Sequence, residues 1–308
     1  MGHQNTPVDT SRRRFLFAAG RHFGYIVRTM AAKILRGDVI AQRIRDEAGK
    51  AAANLKPRVA AIHNEKSGAV RVYMKQQRTA CEAAGIPYDL HLIGEKPQTE
   101  VAELIRQCAA DPAITGITIH QPMPAGFEED RLASMVPAAK DIEATQPASL
   151  GRVEMGQPGP RPVAAAAAVE LLLSERADCR GLHAVVVGRS NMVGKPAALL
   201  LLALGSKAPT VTICHSGTKD LGLFTRQADI VIAAVGRADT IRGDMLRPGA
   251  IVLDIGINRG ADGKLVGDVN FAEAEKVVSA ITPVPGGVGP VAIALFLRNI
   301  VACAAGAP

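Results

Sequence analysis

The stretch Val185-Val-Val-Gly188-Arg-Ser-Asn-Met-Val-Gly194-Lys-Pro196 decides the fold, because a β-branched run leads through a glycine-bearing turn into a helix-forming segment. A buried strand that passes through glycines into a helix is typical of a dinucleotide-binding unit. The N–H groups and the positive dipole end of such a helix favour an anion. The spacing differs from the common G-x-G-x-x-G, so the pattern alone leaves a plain strand-to-helix turn open.

The same alternation of short β-rich runs with helical runs extends in both directions from this turn. It predicts strands at 58–63, 87–93 and 116–120 before the turn, and at 210–214, 228–236, 250–256 and 279–283 after it. Helical runs separate them, and the apolar segment 291–304 predicts a last helix. Alternating strands and helices predict an α/β fold with parallel sheets covered by helices.

A chain of 308 residues exceeds one compact core, so two domains are expected. The Pro/Gly-rich segment 158–162 precedes an alanine-rich helical run at 163–176, which suggests a boundary there. We therefore expect one α/β domain over 30–162 plus 286–308, a Rossmann-like domain over 163–285, and a cleft between them. Residues 1–29 are expected to be a disordered extension or a misplaced start, since Met30 begins a natural-looking N-terminus.

Composition narrows the function classes. The net charge is +7, but residues 1–29 hold five Arg and one Asp, so +4 lies there and only +3 in the remainder. With no Trp and three Tyr, stacking on nucleic-acid bases has little support. No unbroken apolar run reaches the ~18 residues of a membrane span. Five scattered cysteines lack metal-ligand spacing. We expect no nucleic acid, membrane or metal, and a cytoplasmic location.

The end of the strand after the turn indicates which dinucleotide is bound. An NAD site usually has an acidic residue there for the ribose hydroxyl, whereas residues 210–214 are followed by His215 and Ser216. Arg189 and Ser216 offer a guanidinium and a hydroxyl to a 2′-phosphate, which predicts NADP. His215 either joins this site or packs at the strand end.

Several motifs resemble the bifunctional methylenetetrahydrofolate dehydrogenase/cyclohydrolase family. They are 185–196, Thr-Val-Thr-Ile-Cys-His-Ser at 210–216, Asp254-Ile-Gly-Ile-Asn-Arg259, Gly267-Asp-Val, and Ile281-Thr-Pro-Val-Pro-Gly-Gly-Val-Gly-Pro290. The resemblance implies a homodimer with a folate cleft between a catalytic and an NADP domain. It implies cofactor contacts at Gly188, Arg189, Ser190, Val193, Gly194, His215, Ser216 and Ile257. It implies substrate contacts at Tyr73, Glu143, Gly287, Gly289 and Pro290.

The chain departs from the family pattern at the positions that carry the chemistry. Tyr73 matches the family tyrosine, but Gln77 stands at the position of the catalytic lysine. Lys75 cannot replace it, because helical residues two apart point in different directions. His120 stands where the family has a glutamine, and Glu143 where it has an aspartate. We expect Tyr73, Gln77, His120 and Glu143 to form the catalytic set of a remodelled pocket. 

The two family reactions make different demands on this set. Oxidation of the methylene carbon transfers a hydride and leaves a delocalised cation, which Glu143 can accommodate. Hydrolysis of the methenyl product needs an acid/base group titrating near neutrality, which Gln77 is not. We therefore expect NADP-dependent oxidation of 5,10-methylenetetrahydrofolate with weak or lost cyclohydrolase activity.

A compensating hypothesis gives His120 the role of base, with Gln77 orienting it; alternatively, His120 is structural. Two other functions also stay open. One is a dehydrogenase of the same fold acting on another one-carbon carrier, and the other is a catalytically silent NADP-binding paralogue.

Overall fold

The computed structural model describes residues 31–65, 68–260 and 262–306. The expected extension at 1–29 lies outside these residues. The strands are β1 (Lys33–Ile34), β2 (Val59–His63), β3 (Tyr88–Leu92), β4 (Gly116–Ile119), β5 (His183–Val187), β6 (Thr210–Cys214), β7 (Ile230–Ala233), β8 (Ile251–Asp254), β9 (Asn258–Arg259), β10 (Leu265–Val266) and β11 (Ala280–Ile281).

Helices connect most of these strands, as the alternating pattern predicts. They are α1 (Asp38–Leu55), α2 (Gly68–Ala83), α3 (Gln98–Ala110), α4 (Glu129–Ser134), α5 (Pro147–Glu154), α6 (Val163–Glu175), α7 (Gly194–Leu202), α8 (Leu221–Thr225), α9 (Phe271–Ala274) and α10 (Val288–Ala304). None of the described helices is long and apolar enough to cross a lipid bilayer.

Two parallel sheets form the centres of two α/β units, which confirms the predicted fold class. The first sheet has the order β3-β2-β4 and the second the order β1-β11-β8-β7-β5-β6; β9 and β10 form a separate antiparallel pair. Central strands such as β2 and β7 are buried at every residue, as expected when helices cover both faces of a parallel sheet.

Aliphatic side chains fill three clusters of buried residues. One lies on the α3 side of the first sheet, and one on the α8 and α9 side of the second sheet. The largest joins α1, α6 and α10 to both sheets. Phe296 on α10 is fully buried there, so the last helix ties the two units together.

The chain crosses between the units near both ends. Strand β1 pairs in parallel with β11 at the edge of the second sheet, although the range 30–162 predicted for the first unit contains it. Residues 33–34 therefore belong to the second sheet, which corrects the predicted range at this point. Two residues are too few for a strand to be predicted from sequence, and β1 forms because it pairs with β11. Helix α10 packs mainly on α1 and α6.

Each sheet has one point at which successive strands are added on opposite sides. In the first sheet this point lies between β2 and β4, and in the second between β5 and β7. The carboxyl ends of strands at such switch points form the crevices that bind ligands in open α/β sheets. Two candidate crevices follow from the topology.

Candidate active site between the two units

The first crevice holds two histidines. His63 is the last residue of β2, and His120 follows β4, whose Ile119 lies in register with Ile62. This register sets the two imidazoles side by side, with ring centroids 5.2 Å apart and an edge-to-face geometry. Both are buried, so β2 and β4 end in a pair of enclosed titratable groups.

Gln77 reaches the same crevice from α2. It is fully buried; its Nε2 donates to Glu143 Oε1 at 2.7 Å, and its Oε1 lies 2.7 Å from His120 Nε2. The Tyr88 hydroxyl donates to Gln77 Oε1 at 3.4 Å. Lys75, two residues earlier, is exposed. The expectation that Lys75 cannot take the place of Gln77 is therefore confirmed, and no ammonium enters the network from this helix.

Glu143 is held beside β4 because Ile117 and Asp141 form an isolated parallel bridge. The Thr118 hydroxyl donates to its Oε1 at 3.2 Å. Burial raises the pKa of Glu143 to about 7, although the hydrogen bonds from Gln77 and Thr118 act in the opposite direction. Its Oε2 has no hydrogen-bond partner among the described residues. The carboxyl group is thus buried, oriented and half-paired.

The two histidines are poor proton acceptors. Burial, together with the nearby His63, lowers the pKa of His120 to about 4. Burial likewise lowers the pKa of His63. Since the Gln77 amide oxygen accepts and cannot donate, neutral His120 carries its proton on Nε2 and its lone pair on Nδ1. That Nδ1 and both ring nitrogens of His63 are buried without a partner in the described structure.

A cavity of about 280 Å³ opens above this network, between the two units. The first unit contributes polar side chains that include Tyr73, His120 and Glu143, and the second contributes Met192, Val193 and Ile257. Ile257 is 62% exposed, an apolar side chain left open at the cavity. Tyr73 keeps its proton, because burial and then Glu143 raise its pKa. The remaining lining residues are Ile117, Ile119, Gln121, Ala133, Val136, Asp141, Thr145, Val163 and Ala164.

The second crevice is the turn between β5 and α7. Gly188 has a φ of 134°, and a Cβ on it would collide with the carbonyl of Ala234, which follows β7. A Cβ on Gly194 would collide with the carbonyl of Gly188. Both glycines are therefore required for close backbone packing at the switch point.

The N–H groups at the start of α7 were expected to be free for an anion, but they are bonded within the chain. The N–H groups of Val193 and Gly194 donate to Ser190 Oγ at 3.1 and 3.3 Å, and that of Lys195 donates to the Ser190 carbonyl. Ser190 Oγ therefore accepts from the first N–H groups of this helix, while its own O–H has no acceptor among the described residues. The backbone N–H groups of 189–192 have no partner in the described structure, so the turn itself offers the donors.

The predicted phosphate partners lie open around this turn. Arg189 and Ser216 are exposed and form no hydrogen bond or ion pair with other described residues. His215 Nδ1 accepts from the Gly217 N–H at 3.0 Å, so neutral His215 carries its proton on Nε2. A guanidinium, a hydroxyl and a ring N–H suit a phosphate. The donor set fits the 2′-phosphate of NADP.

The predicted substrate residues at the end of the chain do not line the cavity. Gly287 precedes α10, and Gly289 and Pro290 lie in its first turn. A Cβ on Gly37, which precedes α1, would collide with the Gly287 carbonyl, and the Gly37 N–H donates to the Gly286 carbonyl at 2.9 Å. This glycine-rich segment packs the start of α10 against the start of α1.

Sequence reasoning missed His63, Tyr88 and Thr118. A polar residue inside the otherwise apolar strand β4 was the available signal for Thr118, and a histidine ending an apolar strand was the signal for His63. No group of three or more His, Cys, Asp or Glu suited to a metal ion occurs in the part of the chain that the structure describes.

The fold and the site together define an α/β protein with a dinucleotide-type turn and an interdomain cavity. A model described as tetrahydrofolate dehydrogenase/cyclohydrolase, catalytic domain, matches residues 35–143. A second, described as the NAD(P)-binding domain of the same proteins, matches residues 162–307. The chain belongs to the tetrahydrofolate dehydrogenase/cyclohydrolase family.

Individual relatives agree with this assignment over nearly their full length. The bifunctional protein FolD of Bordetella avium is 43% identical over 280 residues, which span 88% of this chain and 96% of the relative. The bifunctional FolD structure from Campylobacter jejuni has a TM-score of 0.84 at 36% identity, covering 89% and 99% of the two chains. The Trypanosoma brucei enzyme, solved with NADP and an inhibitor, has a TM-score of 0.83 at 28% identity, covering 90% and 98%.

Proposed function

We propose that this protein oxidises 5,10-methylenetetrahydrofolate to 5,10-methenyltetrahydrofolate with NADP, and that its hydrolysis of the methenyl product is weak or absent. The observation that carries the proposal is the cavity itself. It places Tyr73 and Glu143 opposite Met192 and Val193 of the dinucleotide turn, and none of its lining residues is Lys or Arg.

The cofactor would be held by the turn of the second unit. The N–H groups of 189–192 would bind the diphosphate, and Arg189, His215 and Ser216 would bind the 2′-phosphate. When bound, NADP supplies the hydride acceptor. The chain's own task is to align the folate with the turn, which the apolar side chains of Val193 and Ile257 do from one side of the cavity.

Oxidation leaves a positive charge on the folate, and Glu143 is placed to balance it. Its Oε1 is held by Gln77 and Thr118, while its Oε2 is unpaired and the residue lines the cavity. A fixed carboxylate in a cavity with mainly apolar walls stabilises a developing cation more strongly than water does. Dehydrogenation needs no proton transfer, so this set of residues suffices.

Positions 77 and 120 do not supply the acid/base group that hydrolysis of the methenyl product needs. Gln77 does not titrate, and a pKa of about 4 leaves His120 almost fully unprotonated near neutral pH. Loss of a positioned acid/base group costs about two to four orders of magnitude in rate. The 2.7 Å contact between Gln77 and His120 supports the hypothesis that Gln77 orients His120 as a weak base. Wild-type hydrolysis by His120→Ala would refute that role.

The oligomeric state, the location in the cell and the domain bounds belong to the same proposal. We infer a homodimer in the cytoplasm, with the folate domain over 30–162 plus 286–308 and the NADP domain over 163–285, apart from the strand at 33–34. Size measurements by light scattering test the dimer.

The proposed function is tested with two separate assays on the full chain. NADP reduction with methylenetetrahydrofolate is expected, with NAD much less effective, and methenyl hydrolysis is expected to stay close to the uncatalysed rate. Cofactor binding without turnover would instead indicate a silent paralogue. Turnover with a different one-carbon carrier only would indicate the other dehydrogenase.

A further inference from the structure

The cavity between the units has an unusual charge balance for a site that binds a charged product. Its lining residues include two carboxyl groups, Asp141 and Glu143, and no Lys or Arg. Most of the other lining side chains are apolar, among them Ile117, Ile119 and Val163. Apolar walls strengthen any charge interaction inside the cavity, so the state of the two carboxyl groups determines which ligand fits.

Asp141 is already used by the protein. Its Oδ2 accepts from the Gln146 N–H at 2.9 Å. The Ser149 hydroxyl and the Thr145 N–H also donate hydrogen bonds to its carboxyl group. These hydrogen bonds fix the turn that leads into α5. Asp141 therefore has a structural task and is not available as the partner of a ligand.

Glu143 is available. The residue is 9% exposed, its Oε1 is paired with Gln77 and Thr118, and its Oε2 is unpaired. No described cation neutralises it, because the groups that hydrogen-bond to it or pack around it are neutral near pH 7.5, and Asp141, two residues earlier, adds a like charge. From α2 these groups are Gln77 and Tyr73, from β3 Tyr88, and from β4 Thr118 and His120, with His63 of β2 behind His120. The site therefore has an unbalanced negative charge.

We propose that the cavity selects a folate with a cationic one-carbon bridge: Glu143 Oε2 pairs with the amidinium of the methenyl group, so that the methenyl product binds more tightly than the methylene substrate, whose bridge is uncharged. This inference rests on the proposed function and adds a ligand preference to it. The amidinium is flat and flanked by apolar ring atoms, which matches one carboxylate among aliphatic side chains.

The preference depends on pH in a defined direction. Burial raises the pKa of Glu143 to about 7, and only the carboxylate pairs with the cation. Affinity for the cation therefore falls about tenfold per pH unit below pH 7 and levels off above it. Affinity for the methylene folate does not share this dependence. Binding of the cation at pH 6 also releases a proton from Glu143.

The experiment compares the two folates on the full chain without nicotinamide, so that no hydride transfer occurs. Dissociation constants for methenyl- and methylenetetrahydrofolate are measured at pH 6 and pH 7.5 by titration calorimetry. At pH 7.5 the cation is expected to bind about tenfold more tightly or better, and the advantage shrinks about tenfold at pH 6. Glu143→Gln is expected to abolish the advantage at both pH values.

The control is Glu103→Gln, the same change on the exposed face of α3, which keeps the wild-type preference. If Glu143→Gln does not fold, proton release by the wild type at pH 6, measured in two buffers of different ionisation enthalpy, decides the question. A preference that is absent, insensitive to pH or retained by Glu143→Gln overturns the inference alone. If neither folate binds, the proposed function fails as well.

Discussion

The two switch points of this protein share a topology and differ in how their polar groups are used. In the crevice at the ends of β2 and β4, side chains from distant parts of the first unit form hydrogen bonds with one another. They are Gln77, Tyr88, Thr118, His120 and Glu143. At the end of β5, backbone N–H groups of 189–192 and the Arg189 side chain have no partner. One crevice is preorganised around a buried carboxyl group, and the other stays open for an anion. Parallel sheets thus place ligands in the same way while leaving the chemistry to a few side chains.

The largest expected effect tests the first crevice. Gln77→Lys puts an ammonium next to Glu143 Oε1, where the amide nitrogen now lies at 2.7 Å. An ion pair there provides a titratable group within reach of the cavity, and methenyl hydrolysis should rise by about two orders of magnitude or more. Gln77→Met, which fills similar space without a charge, is the control. Equal hydrolysis by both variants would show that the missing ammonium is not the limiting feature.

The second expected effect tests the other crevice. Gly194→Ala forces the start of α7 away from the Gly188 carbonyl. The shift displaces the N–H donors of the turn, and losing their hydrogen bonds at a cost of up to about 3 kcal/mol lowers NADP affinity by up to about 100-fold, measured by fluorescence titration. Gly49→Ala is the matched control, since a Cβ there meets no atom within 4 Å. It should leave NADP binding unchanged and, in mid-helix, slightly stabilise the fold. Unchanged NADP affinity in Gly194→Ala would remove the turn from the cofactor site.

A smaller effect separates the two dinucleotides. Arg189→Ala removes the free guanidinium, and a lost charge-assisted hydrogen bond costs about 2 kcal/mol, or roughly thirtyfold in NADP affinity. NAD lacks the 2′-phosphate, so its affinity should stay within a factor of about two. Arg180→Ala, at a residue paired with Asp178 on the surface, is the control. A parallel loss for both dinucleotides would mean that Arg189 does not read the 2′-phosphate.

The smallest effect concerns stability in the first crevice. His63→Leu replaces a buried imidazole whose two nitrogens lack partners, and the gain should be about 1 to 3 kcal/mol. Because burial lowers the pKa of His63, the wild type loses stability as the pH falls below about 6.5. The gain should therefore be larger at pH 5 than at pH 8 in urea unfolding. His91→Leu, at a partly buried residue of β3, is the matched control for the change of residue type. A destabilised His63→Leu would indicate that His63 has a polar partner.

The residues that carry chemistry were predictable from sequence to different degrees. Tyr73, Gln77, His120 and Glu143 could be named because each lies in a motif, and the structure brings them together. His63 and Thr118 lie in ordinary strand segments and became visible only once β2 and β4 were paired. Ser190 was assigned to the cofactor from its motif, and only the structure shows that its hydroxyl oxygen also accepts from the Val193 and Gly194 N–H groups at the start of α7.

By itself, the sequence determined the order of the strands that alternate with helices from β2 to β8, the glycine-bearing turn and the types of residue available at each site. These features depend on local periodicity and backbone sterics, which neighbouring residues set. Tertiary structure alone decided that residues 33–34 join the second sheet, that Gln77 meets Glu143 66 positions away, and that Glu143 titrates near neutrality. Burial and pairing arise from contacts between segments that are distant in sequence, and those contacts exist only in the folded chain.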